Sequence, residues 1–236
     1  MQLGKLESDV LEALKGNGLA VFRARDVSLL LRFSMVKTYN LLKSLKKKGL
    51  IKSLQGGVYA VKGTDELAAG AYLNWPSYLS FWSALSYYGL TDQMPKTVFF
   101  ASAKYKKRIG NCRFVVLSNK RFFGYTSVGG ITIAEKEKAI IDSLLFPKYA
   151  GGMHEVFNAA KSSIKVLDLK KLSSYALRVK SRAAVRRLGF ILEECGIRGK
   201  YLDNLLKRKG KGFELLDPSL ERKNNFNKKW LLDVNW

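Results

Sequence analysis

"SMVKTYNLLKSLKKKGLIKSLQGGVYAVKG", Ser34 to Gly63, decides how the first part of this chain folds. Thr38, Leu41, Leu42 and Leu45 recur at helical spacing and make one apolar stripe. Ser34 stands where a hydroxyl caps a helix, and Gly49 ends it. Opposite the stripe come Lys37, Asn40, Lys43 and Lys47. "LIKSL", "QGG" and "VYAVK" then predict a strand, a tight glycine turn and a second strand, with Leu50, Val58 and Ala60 returning to the core. Two readings compete. The stretch is a solvated helix leading into an unrelated hairpin, or it is a recognition helix followed by its wing.

The preceding residues favour the second. Leu6, Val10, Leu11 and Leu14 predict a first helix that stops at "GNG", "AVF" a short strand, and "RARDVSLLLRF" a second helix. Helix, strand, helix, helix, hairpin is the order of a winged helix-turn-helix. In such a module the third helix enters the major groove. Asn40 can read adenine edges there, and Lys37, Lys43 and Lys47 can reach guanine edges or phosphates. The turn at Gln55 and Gly56 can touch the DNA backbone or minor groove. A domain boundary is expected near Gly63, before the acidic helix start "TDEL".

Charge points to the same class of partner. The 236 residues carry a net charge of +23. Residues 1–63 hold 12 basic and 4 acidic side chains, residues 64–160 hold 11 and 7, and residues 161–236 hold 19 and 8. Two basic ends flank a near-balanced middle, as suits a nucleic acid, an anionic surface or an acidic protein. No apolar run is long enough for a membrane span and the N-terminus lacks a signal peptide's pattern, so a cytoplasmic protein is expected.

Residues 64–160 read as an α+β core. "YLSFWSALSYYGL" and "EKEKAIIDSLLFP" predict helices, and "KTVFFAS", "CRFVVLS" and "GGITIA" predict strands of a small sheet at about residues 97–133. Helices follow over about 134–208, and Trp230, Leu232 and Val234 alternate as in a terminal strand. Lys180, Arg182, Arg186 and Arg187 read as a positive strip on one helix. It is a solvated face, a second contact to DNA phosphates, or a docking surface for an acidic partner.

The sequence shows no arrangement of residues suited to catalysis. His154 is the one histidine, with no orienting partner in view. Cys112 and Cys195 are far apart and read as buried thiols rather than a zinc site or disulfide. Glu135, Glu137 and Asp142 read as acids at a helix start. The glycine doublets lack nucleotide-binding spacing. No metal, cofactor or catalytic residue is therefore expected, and the chain does not read as an enzyme.

The stretches 78–102, 134–161 and 184–196, and the end "LLDPSLERKNNFNKKWLLDVNW", resemble the AbiEi antitoxins of phage abortive-infection systems. The likeness lies in the order of "SFWSALSYYGL", "EKAIID", "RRLG" and a terminal "KWL", and covers nearly the whole chain. It implies a winged helix-turn-helix over residues 1–63 and a mixed α/β antitoxin domain, mainly helical towards its end, over 64–236. It implies repression of the protein's own operon through inverted promoter repeats, and action against a cognate nucleotidyltransferase-like toxin. The alternative is a winged-helix enzyme, or a ligand-responsive regulator with no antitoxin role.

Overall fold

The structure is a computed structural model that describes residues 3–105 and 107–236. It is α+β, and the chain divides into two compact units, Met1–Pro76 and Ser77–Trp236.

The first unit runs α1 (Lys5–Gly16), β1 (Val21–Arg23), α2 (Ala24–Leu31), α3 (Met35–Lys47), β2 (Ile51–Ser53), β3 (Val58–Val61) and α4 (Glu66–Leu73). Its strands form an antiparallel sheet in the order β1-β3-β2, with Val21 opposite Ala60 and Ile51 opposite Val61. The pleat sends alternate residues to opposite faces. Phe22 and Ile51 join Val10, Leu14, Val27, Leu42 and Leu45 in the core beneath α1, α2 and α3. Val21, Val58 and Ala60 instead pack against Ala69 and Leu73 of α4. Val58 and Ala60 thus serve this second, smaller core. The boundary consequently falls at Pro76 and not at Gly63, because α4 covers the far face of the sheet.

In the second unit β4 (Ser77–Leu79) leads into α5 (Phe81–Tyr87). Then follow β5 (Val98–Ser102), β6 (Lys107–Ile109), β7 (Cys112–Val116), β8 (Tyr125–Val128) and β9 (Ile131–Ala134). These strands make one mixed sheet, β6-β7-β5-β4-β9-β8, in which β5 and β7 are parallel and β4 joins parallel to β9. The helices are α6 (Lys136–Leu145), α7 (Met153–Ser163), α8 (Leu169–Arg178), α9 (Arg182–Glu194) and α10 (Lys200–Leu206). Helix α6 packs against α5, α7, α8 and α9 and is buried over most of its length. The tail forms a small sheet, β10 (Glu214–Leu215), β12 (Leu232–Asp233) and β11 (Phe226–Asn227), with β12 in the middle.

Trp230 is fully buried and explains Gly189. A Cβ at position 189 would lie 2.1 Å from the indole ring, so only glycine admits the tail there. The indole nitrogen donates to Glu193 Oε2 at 2.7 Å, and Lys229 pairs with the same carboxylate.

Candidate nucleic-acid interface

Helix α3 is fixed by its cap and by the turn before it. The Ser34 hydroxyl accepts from the Lys37 amide at 3.3 Å, and Thr38 Oγ1 donates to the Ser34 carbonyl. Arg32 takes a left-handed conformation (φ 53°) that turns the chain between α2 and α3. Ser28 donates to the Phe33 carbonyl at 2.8 Å across that turn. Glu7 of α1 holds the other end. It pairs with Lys48 and accepts from Ser44 Oγ, and with the Gly4 amide these donors bring its carboxyl from the usual 4.5 down to about 2.

With Thr38, Leu42 and Leu45 turned inward, α3 presents Lys37, Asn40, Lys43 and Lys47 to solvent. They are not equivalent. Asn40, Lys43 and Lys47 follow at four, seven and eleven residues from Val36, so these four share the centre of the outer face. Lys37 sits at its margin, its ammonium 3.9 Å from the centroid of the Phe33 ring. Val36 is 73% exposed and Tyr39 52% exposed. Sequence reasoning missed both, although removing the apolar stripe from the helix leaves them on the polar side. An exposed valine one turn from an asparagine gives this face a methyl contact beside an amide, a pair suited to thymine and adenine edges.

Gln55 and Gly56 are exposed in the turn between β2 and β3, where Gly56 and Gly57 both have φ 73°. Arg23 donates to the Gly56 carbonyl at 2.9 Å, tying this turn to the start of α2. One rigid scaffold thus carries both the α3 face and the turn.

The four cations expected as a strip on the second unit do not share one exposed face. Lys180 precedes α9, in a left-handed conformation with φ 51°, and Arg182 opens the helix; both are exposed. Arg186 and Arg187 are buried. Arg186 donates to the carbonyls of Lys209 and Lys211 and lies 3.4 Å from Glu214. Arg187 donates to the carbonyls of Leu144, Leu215 and Leu216. Burial lowers both guanidinium pKa values, and Glu214 opposes this. These two arginines fasten loop and tail to the helices, and no ligand reaches them.

The acids read at a helix start also separate. Glu135 pairs with Lys171 and accepts from Tyr175 Oη, while Glu137 accepts from the Asp168 amide at 3.0 Å. Asp142 is sealed inside with Lys138, its ion-pair partner one turn earlier. Tyr78 and Ser80 donate to Asp142 at 3.0 and 2.8 Å, and Lys138 also donates to Tyr78 at 2.9 Å. Burial lowers the Lys138 pKa, opposed by Asp142, and raises that of Tyr78. All four side chains are inaccessible, so this network supports the core rather than a reaction. His154 is exposed, its ring edge-on to Trp236. Cys112 is buried and Cys195 half-buried. Among the described residues no group of His, Cys, Asp and Glu could hold a metal ion, and no helix is long and apolar enough to cross a membrane.

No protein-family model matches the chain, and no curated protein matches it. Among solved structures the chain is similar to the RV2827C protein from Mycobacterium tuberculosis, at 12% identity and a TM-score of 0.64, over 98% of this chain and 92% of that one. At this identity the likeness speaks for the fold alone.

Proposed function

We propose that the chain is a DNA-binding regulator of the antitoxin type, with the first unit acting as a winged helix-turn-helix on its own promoter. The observation that carries the reading is the outer face of α3. Asn40 stands exposed between Val36, Lys43 and Lys47, while the glycine turn at Gln55 and Gly56 is tied to α2 by Arg23. That combination provides base-reading groups, phosphate-seeking cations and a second backbone contact on one scaffold. The net charge of +23 supports it, since phosphate neutralisation supplies affinity and draws the protein to duplex DNA.

The test is a titration of the full chain with promoter DNA over a range of salt. About six phosphate contacts give a log–log slope near −5, and a slope between 0 and −1 would remove the reading. The antitoxin role rests on the resemblance to AbiEi proteins and on the second unit. Co-expression with a nucleotidyltransferase-like protein encoded beside it tests that role. Growth arrest that the chain fails to relieve would leave a promoter-binding regulator without antitoxin activity.

A further inference from the structure

The second unit carries a basic groove of its own, formed by α8, α10 and the start of α9. Lys170, Ser174 and Leu177 lie on one face of α8 and, with Lys200, Tyr201 and Asn204 of α10, line a cleft of about 600 Å³. An adjoining cleft of about 550 Å³ shares Leu177 and is lined by Lys180, Arg182 and Arg208. The two make one channel along α8 that ends at the start of α9.

Lys170, Lys180, Arg182, Lys200 and Arg208 are all exposed, and none has an ion-pair partner among the described residues. Elsewhere in the unit Lys138, Lys171, Arg186 and Lys229 are each matched to a carboxylate. Of the described residues lining either cleft, none is acidic. A concave wall of one sign concentrates its field on whatever enters it. The occupant is therefore a polyanion.

Shape and polar chemistry narrow the class. A duplex is too broad to enter clefts of this size, whereas a single strand can lay its phosphates along them. Tyr201 is half-buried, with the Lys200 ammonium over its ring, 5.2 Å from the centroid, so the channel offers an aromatic face and a cation together. Such faces stack bases without regard to sequence. Ser174 and Asn204 bring hydrogen-bond acceptors as well as donors. A phosphodiester uses donors only, and a ribose 2′-hydroxyl uses both. We propose that this groove binds single-stranded RNA, with phosphates on Lys180, Arg182 and Arg208 and a base on Tyr201.

The test measures binding of the full chain to a labelled oligouridylate of about 12 residues, within the range of single-strand sites. Lys180→Ala with Arg208→Ala should leave the melting temperature unchanged and weaken binding by about tenfold or more. The salt slope should become shallower by about 1.4, for two phosphates no longer neutralised on a single strand. Lys200→Ala, on another side of the channel, should weaken binding as well and repeats the test in a separate background. Lys43→Ala with Lys47→Ala should leave oligouridylate binding intact while weakening promoter duplex binding. Unchanged RNA affinity in both groove variants would overturn the proposal. So would a loss confined to the α3 variant, equal affinity for oligothymidylate, or preference for a poly-glutamate peptide. Oligouridylate binding without promoter binding would uphold the groove and remove the α3 reading.

Discussion

In the proposed DNA-binding reading, Asn40 is the residue on which specificity turns. It is exposed at the centre of the α3 face, with Val36 one turn before it and Lys43 and Lys47 after it. Asn40→Ala should lose about 1–3 kcal/mol on the promoter site and little on scrambled DNA, while Lys47→Ala should weaken both alike. Paired titrations decide this, and equal losses on both DNAs for Asn40→Ala would take it out of the base-reading set. The buried arginines call for the opposite kind of test. Arg187→Leu leaves the carbonyls of Leu144, Leu215 and Leu216 without their donor, and each buried unmet group costs about 1–3 kcal/mol. The melting temperature should fall clearly, with promoter affinity at low temperature unchanged. An unaltered melt would mean that the tail is held by other contacts. A charge at 186 or 187 reads in sequence as surface, because arginines are mostly exposed. What reverses it here is a set of carbonyls some 23 to 43 residues away in the chain, which local spacing cannot show.

Elements were legible where periodicity carried them and illegible where partners came from afar. The stripe Thr38, Leu42 and Leu45 marks α3, and those three residues are its buried side. The exposed positions of the candidate interface follow from the same stripe. The role of α4 did not show, since "ELAAGAYL" has small residues on every side and no single apolar face, and only the packing of Ala69 against Val21, Val58 and Ala60 assigns it. The pair Lys138 and Asp142 has the spacing of a surface ion pair on a helix. It is buried because β4 and the turn into α5 lay Tyr78 and Ser80 over it. Asp142→Ala should therefore destabilise the second unit by about 3–5 kcal/mol, as an uncompensated buried lysine does, and Lys138→Met with Asp142→Leu should recover most of that loss. Chemical denaturation of the three proteins measures it, and a double variant no better than the single would show that the hydrogen bonds of Tyr78 and Ser80, not the charge, dominate. In the first unit Glu7 ties α1 to the end of α3. Its folded pKa of about 2 lies below the usual 4.5, so its contribution is complete above pH 4.5 and is lost as the pH falls towards 2. Melting curves over that window should fall less steeply for Glu7→Gln than for the parent, and parallel curves would remove Glu7 from the acid response.

The two units hold their cations differently. The first, through Pro76, holds 12 basic and 6 acidic side chains, and its cations crowd onto α3 and the turns beside it. The second combines buried, paired cations with the open ones of its α8–α10 groove. This division makes truncation the sharpest test of the architecture, and it depends on where the cut is made. A fragment of residues 1–63 keeps every candidate DNA contact but strips α4 from the sheet, leaving Val21, Val58 and Ala60 open to water. Uncovered apolar area costs about 25 cal/mol per Å², and an exposed apolar sheet face also invites association. A fragment of residues 1–76 retains that cover. It should melt cooperatively, stay monodisperse and bind promoter duplex with a salt slope close to that of the full chain. The shorter fragment should melt at lower temperature or aggregate, and adding Ala69→Asp to the longer one should reproduce that defect while leaving α3 untouched. Calorimetry and sedimentation on the three fragments read this directly. Equal melting of the 1–63 and 1–76 fragments would show that α4 adds nothing to the first unit, and the boundary would return to Gly63.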